Sequence, residues 1–249
     1  MKTILYLCAT LIALASCQKS GIYPAFAIDK TSTVDNITRE RNGVSNASSF
    51  IGPVTDIDGN VYHTITVGKQ TWMIENLKTT KYRDGTPIQN VTDTITWDQL
   101  HTGAYSDYNN DPQSVALYGR YYNWYAANNK HQIAPAGWHV PSIAEWETLV
   151  NYLGGAGVAG GKLKESGTTH WRTPNPASNT IGFNALPGGI LFEIDPGRFC
   201  YFWSTNETST YIAASCDLFF MSTIAYLPSD HFKYAGLSIR CIKDYTKGD

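Results

Sequence analysis

Cysteine and histidine are the side chains here best suited to act as nucleophiles or metal ligands, and neither set has a catalytic spacing. The six histidines, His63, His101, His131, His139, His170 and His231, are scattered, with no His-Glu-x-x-His pair to place two ligands on one helix face. No Gly-x-Ser-x-Gly elbow presents a serine. Of five cysteines, Cys8 and Cys17 lie at the N-terminus, leaving Cys200, Cys216 and Cys241. Three thiols allow one bridge and an odd partner. Cys200 and Cys216 lie in consecutive strand-like runs, so the expected bridge joins them and leaves Cys241 as a buried thiol. Residues 106–111, Ser-Asp-Tyr-Asn-Asn-Asp, bring the carboxylates of Asp107 and Asp111 close to amide oxygens, an array that could hold calcium. A solvated Asx-rich turn explains the same residues and is the favoured reading. Asp56-Ile57-Asp58-Gly59-Asn60 opens like a calcium loop, but its glycine comes fourth instead of sixth and Val67 stands where the closing glutamate belongs. The glycines between 154 and 161 follow no strand and precede no Gly-Lys-Ser/Thr, which argues against a phosphate loop. No cofactor and no metal are implied.

The elements that must position these groups are of mixed type. Residues 54–77 read as a hairpin or small meander. Asp58-Gly59-Asn60 supplies a turn, Val61, His63, Ile65 and Val67 alternate with Tyr62, Thr64 and Thr66, and Gly68-Lys69-Gln70 turns again. Tyr118, Tyr121, Tyr122 and Tyr125 follow helical spacing and predict a helix over 117–128. A second helix is expected over 142–153. Ser142 and Glu145 form a capping box, Ile143, Trp146, Leu149, Val150 and Leu153 give an apolar face, and Gly154-Gly155 ends it. Glu145 is then a cap, Trp146 a core residue and His139 a hydrogen-bonded residue ahead of the helix. Short strands are expected over 199–204, 211–220, 221–226 and 237–242. On the last, Leu237, Ile239 and Cys241 share the buried face. Two helices among mostly antiparallel strands make an α+β domain.

The N-terminus reads differently. Met1-Lys2-Thr3 precedes an apolar run from 4 to 15 and then Ser16-Cys17, a secretory signal too short to span a bilayer permanently. Leu14-Ala15-Ser16-Cys17 resembles the bacterial lipobox, which implies cleavage before Cys17 and lipid on it. Residues 1–16 are therefore expected to be a signal peptide. Residues 17–50 are polar and aperiodic and read as a flexible tether, and 51–249 as a single domain. Gln18-Lys19-Ser20 lacks the acidic run that resembles surface-export signals. A formal charge of −2 gives no basic footprint for nucleic acid. The aromatic load, 16 Tyr, 9 Phe and 7 Trp, supplies a large core with tyrosines at its wet edges. It also supplies rings that could stack against sugars or a protein partner.

Seven blocks carry a family resemblance. They are Gln70-Thr71-Trp72-Met73-Ile74-Glu75-Asn76-Leu77-Lys78, Tyr118-Gly119-Arg120-Tyr121-Tyr122-Asn123-Trp124, Ala136-Gly137-Trp138-His139-Val140-Pro141-Ser142, Glu145-Trp146, Gly182-Phe183-Asn184-Ala185-Leu186-Pro187-Gly188, Phe202-Trp203-Ser204-Thr205 and Gly236-Leu237-Ser238-Ile239-Arg240-Cys241-Ile242-Lys243-Asp244. In this order they resemble the Fibrobacter succinogenes major paralogous domain family, whose members are commonly secreted or lipid-anchored. The block from Gly137 to Trp146 also resembles formylglycine-generating enzymes. That similarity implies a C-type lectin-like architecture, two helices with small twisted antiparallel sheets and long loops. Those enzymes use two cysteines a few residues apart near the C-terminal end, a spacing that Cys200, Cys216 and Cys241 do not reproduce. The Trp-Asn-Asp signature of sugar-binding lectins is also absent, since Ser204-Thr205 follow Trp203. The resemblance thus implies an outer-membrane lipoprotein, anchored through Cys17, that presents a non-catalytic binding or assembly module to a glycan or surface protein. The alternative is an enzyme built on the formylglycine-generating scaffold. A deep cleft with converging titratable groups would favour the enzyme, and a shallow aromatic groove the binding module.

Overall fold

The computed structural model describes residues 52–192 and 197–244. The expected signal peptide, the tether and Cys17 lie outside the described residues. Strands β1 (Val54–Thr55) and β2 (Val61–Tyr62) form the first hairpin. The Asp56 carboxylate makes its turn, accepting from Asp58 N at 3.0 Å, Asn60 N at 2.9 Å and the Tyr62 hydroxyl at 2.6 Å. Its oxygens are thereby committed to donors inside the turn. Strands β3 (Thr64–Val67) and β4 (Gln70–Met73) pair around Gly68, whose φ of +63° suits glycine. Next come β5 (Gln89–Asn90), α1 (Thr94–Asp98), which is capped by Asp93, and β6 (Ala104–Ser106).

The helix expected over 117–128 is not formed. The structure has α2 (Val115–Tyr118), strand β7 (Tyr121–Tyr122) and α3 (Trp124–Ala127) in its place. Gly119 breaks the run at φ +72°, and it lies so close to Asn76 and Leu77 that a Cβ would meet the Leu77 carbonyl oxygen at 2.8 Å. In extended conformation, neighbouring Tyr121 and Tyr122 enter different apolar clusters, the alternation of a strand and not the stripe of a helix.

After β8 (Trp138–His139), α4 (Ile143–Tyr152) follows the sequence expectation, with Ser142 and Glu145 in a complete capping box. The glycine-rich stretch then forms a second helix, α5 (Ala156–Leu163), where no helix was expected. Two of its glycines serve close packing. A Cβ on Gly160 would lie 2.3 Å from the Ile224 carbonyl oxygen, and one on Gly161 3.0 Å from that of Pro176.

The rest is mainly a meander of β9 (Phe199–Glu207), β10 (Ile212–Phe219) and β11 (Ala225–Phe232), in the order β11-β10-β9. The strand expected over 221–226 starts and ends later than that. Between Ser215↔Ser229 and Asp217↔Tyr226 the edge strand carries an extra residue, a bulge that accommodates Pro228. The run expected as a strand over 237–242 contributes only β12 (Ile242–Lys243) to a ladder, in a four-stranded antiparallel sheet ordered β3-β4-β12-β8. Before it, Leu237 bridges Tyr122 and Ser238 bridges Phe202, while Met73 N and Leu77 N donate to Cys241 O and Ile239 O. This segment runs between sheets. Leu237, Ile239 and Cys241 are buried as expected, and so are Ser238 and Arg240. A further three-stranded sheet orders β5-β6-β7. The fold class is α+β, with several small, mostly antiparallel sheets.

The β9–β11 sheet is covered on both faces. Cys200, Phe202, Cys216 and Leu218 join the α4 and α5 side chains in one cluster, while Tyr201, Trp203 and Ala213 join a second with Tyr122 and Trp124.

Candidate functional site

Two concave regions could carry function. The first is polar and lies beside the α4 N-terminus, with a volume of 440 Å³ and a lining that includes Arg83, Gln132, His139 and Glu145. His139, Glu145 and Arg83 are tied to neighbouring side chains or to the backbone. His139 Nε2 meets Glu145 Oε1 at 2.8 Å and Nδ1 meets Asp244 Oδ1 at 2.6 Å. The other Glu145 oxygen takes the Ser142 amide and hydroxyl, each at 2.8 Å. Arg83 holds the loop after α3 through the carbonyls of Ala134 at 2.9 Å and Pro135 at 2.8 Å and the Gln132 side chain. An imidazole with both nitrogens engaged by carboxylates is a clip between β8, α4 and the C-terminal segment, not a free general base.

The clip has a pH signature. Hydrogen bonding to Glu145, then to Asp244, raises the His139 pKa above its ordinary 6.5 against the opposing effect of burial. Burial pushes Glu145 up, but its bonds to His139 and Ser142 outweigh this and leave it below 4.5. The stability that His139 contributes is full below about pH 6.5 and is lost as pH rises through its elevated folded value. That of Glu145 is full above about pH 4.5 and is lost on acidification. Both groups are partly exposed, so the combined effect is about 1 kcal/mol or less. The melting temperature of the parent should therefore fall more between pH 6 and 9 than that of His139→Ala. Parallel profiles for the two proteins would show that the clip does not contribute.

The sequence-singled thiols do not meet as expected. Cys200, Cys216 and Cys241 are all free and buried, and the Cys200–Cys216 bridge is not formed. Cys200 pairs with Leu218 and Cys216 with Phe202, which makes the two cysteines diagonal neighbours on one face. Diagonal positions stand about 7–8 Å apart, beyond the usual disulfide span of about 4.4–6.8 Å between Cα atoms. Burial pushes the Cys200 thiol up to about 12 and raises Cys216 and Cys241 well above the ordinary range. In the loop at 106–111, Asp107 forms an ion pair with Arg120, and Asp111 Oδ1 accepts from Gln113 N at 2.9 Å. Among the described residues no group of three His, Cys, Asp or Glu side chains is placed to hold a metal.

The second region is an aromatic groove of 450 Å³ where residues 190–192 meet α1 and the end of β11. Its floor is fixed from several sides. Trp97 Nε1 donates to Tyr234 O at 2.5 Å, Trp97 meets Phe192 edge-to-face at 6.1 Å, and Leu191 N donates to Gly236 O at 2.9 Å. Gly236 is required there, since a Cβ would fall 2.5 Å from that of Leu191. Along the rim Phe232 and Tyr234 stack with centroids 5.2 Å apart and planes 7° from parallel, and Phe232 is 53% exposed. Asp98 and Asp230 are exposed carboxylates on the same lining. Of these residues only Gly236 stands out in the sequence, as the start of a family block. The available signal was the i, i+2 spacing of Asp230 and Phe232, which a strand places on one side, with Tyr234 in the turn just past its end. Leu227-Pro228-Ser229-Asp230 reads as a turn and hides that strand.

The blocks behind the family resemblance do not line either region as a set; they converge in the interior. Trp72, Trp146, Phe183 and Phe202 pack ring against ring, and the Arg240 guanidinium lies 4.4 Å from the Phe183 ring centroid and 5.0 Å from that of Phe202. Asn76 Oδ1 accepts from Arg240 Nη2 at 2.7 Å, and Asn76 Nδ2 donates to Tyr118 O at 2.8 Å. Trp203 Nε1 donates to Tyr122 O at 2.8 Å, and Trp124 Nε1 to Ser204 O at 3.0 Å. Residues far apart in the sequence are thus one another's packing and hydrogen-bond partners. No curated protein and no solved structure matches the chain. The pattern itself is matched across residues 65–243, most of the described chain, and by that match the protein belongs to the Fibrobacter succinogenes major domain family.

Proposed function

We propose that this protein is an outer-membrane lipoprotein, anchored through lipid on Cys17, that presents residues 51–249 as a non-catalytic binding or assembly module for a glycan or a protein. The observation that carries the reading is the groove at Phe232 and Tyr234, where aromatic surface stands exposed on a floor held by backbone hydrogen bonds. Exposed rings on a fixed scaffold give contact area at little ordering cost. The commitment of His139 to two carboxylates and the burial of all three thiols support binding over catalysis. We further infer a C-type lectin-like arrangement, which the pairing of α4 and α5 with small antiparallel sheets and long connections supports.

Among the described residues no helix is long and apolar enough to cross a membrane, and the attachment proposed is the lipid on Cys17. Cys17→Ala should move the protein from the membrane fraction to the soluble fraction. Equal partition of variant and parent would remove the anchor from the proposal. For the module, saturable binding of the full chain to a glycan or a purified surface protein is expected, without turnover of the ligand. Conversion of the ligand by the purified protein would replace the module with an enzyme.

A further inference from the structure

We propose that the groove between residues 190–192 and 230–236 takes a neutral saccharide, seated on the exposed face of Phe232 with its hydroxyls directed to Asp98 and Asp230. This deepens the reading of the protein as a binding module and rests on it.

Size and shape come first. A volume of 450 Å³ falls within the range of small-ligand sites, about 300–1,000 Å³. Phe232 and Tyr234 lie parallel and against each other, so they offer one flat outer face. A pyranose presents C–H groups on its own flat face, and an aromatic ring is the apolar surface that fits it. An ammonium ligand needs rings set around the cation, and two mutually stacked rings do not enclose one.

Charge narrows the class further. Asp98 and Asp230 are acceptor-only groups suited to ligand O–H donors. The Asp230 carboxylate is oriented by the Thr208 hydroxyl, which donates to Oδ1 at 2.9 Å. Among the described residues no lysine or arginine lines the groove. Lys233, between the two stacked rings in sequence, is buried, its ammonium bonded to Glu207 and to Thr210 O and placed 4.6 Å from the Trp124 ring centroid. The histidine of the lining, His231, is bonded through Nε2 to Asp217. A phosphorylated, sulfated or uronate-bearing ligand would therefore meet two carboxylates with no lysine or arginine to compensate, a like-charge cost that selects against it. What remains is a neutral, hydroxyl-rich ligand with an apolar face.

The test uses the detergent-solubilised full chain on an array of neutral oligosaccharides built from glucose, mannose, xylose or N-acetylglucosamine. Sulfated and uronate-bearing glycans, a lysine-rich peptide and purified outer-membrane proteins are included. Hits are followed by titration calorimetry. Saturable binding to at least one neutral series is expected, weakened at least about tenfold by Phe232→Ala and several-fold by Asp230→Asn. Both residues are exposed, so both variants should melt with the parent. Absence of binding to every neutral oligosaccharide overturns the proposal. So does neutral-glycan binding that Phe232→Ala leaves intact, although the module reading then stands. Groove-dependent binding of the lysine-rich peptide or a protein alone also overturns the saccharide and keeps the module. Hydrolysis of a sugar bound at Phe232 would keep the saccharide and overturn the module.

Discussion

Arg240→Ala should destabilise the domain by on the order of 4 kcal/mol, which for a domain of this size lowers the melting temperature by roughly 10 °C. Arg240 is buried, and burial pulls its pKa down to about 10. Its hydrogen bonds go to neutral oxygens, those of the Asn76 side chain and the Phe183 backbone, while two phenylalanine rings lie against it. Truncation therefore opens a cavity and strips the donor from two buried acceptors, and unsatisfied buried acceptors cost about 1–3 kcal/mol each. Arg240→Lys should recover little, because one ammonium cannot reproduce a planar fork that reaches Asn76 and Phe183 while stacked on rings. Urea denaturation of Asn76→Ala, Arg240→Ala and the double variant gives the coupling directly, and a strongly non-additive cycle is expected. An Arg240→Ala protein within 1 kcal/mol of the parent would show that the guanidinium is not what holds the blocks together.

The buried arginine illustrates which parts of this protein can be read from a linear sequence. The capping box at Ser142 and Glu145 was legible because its partners are three residues apart and the bond is local. The turn at Asp56 was legible for the same reason. The tyrosine stripe from 118 to 125 misled because helical spacing is a local signal. What breaks it is the approach of Gly119 to Asn76 and Leu77, some forty residues away in sequence. The same cause hid α5. Glycine at 160 and 161 reads as loop composition, yet it is selected by the closeness of the Ile224 and Pro176 carbonyls. The expected Cys200–Cys216 bridge failed on register, which strand order alone does not specify. Arg240 was legible as part of a family block but not as a core residue, since period-2 alternation on an ordinary strand would leave it exposed. It is buried because residues 237–241 have neighbours on both sides. The groove was the least legible, being assembled from α1, residues 190–192 and the end of β11, none of which carries a recognisable motif.

Trp146→Ala should cost about 3–5 kcal/mol, the usual range for truncating a fully buried tryptophan. The ring is completely buried, with Trp72 at 4.6 Å, Phe183 at 6.1 Å and Phe202 stacked at 5.4 Å. It joins α4 to both β4 and β9 through Trp72 and Phe202, so its loss loosens the helix against two sheets at once. One feature of the site separates area from hydrogen bonding. The Trp146 Nε1 atom is buried without an acceptor, in contrast to Trp97, Trp124, Trp171 and Trp203, whose indole N–H groups each donate to a carbonyl. Trp146→Phe removes that orphaned donor and keeps a ring to stack on Phe202. The relief offsets part of the lost volume, and a cost of about 1–2 kcal/mol is expected. A tryptophan selected for a polar contact would lose nearly as much on conversion to phenylalanine as to alanine. Equal losses in the two variants would therefore contradict the packing account. Trp146 belongs to the apolar cluster around α4 and α5, whereas Trp97 and Leu191 beneath the groove form a separate one. Ligand affinity measured well below the melting temperature should consequently be the same in Trp146→Phe as in the parent, even though the variant unfolds at lower temperature. A parallel fall in affinity and stability would mean that the two clusters act as one unit and that the groove is not independently held.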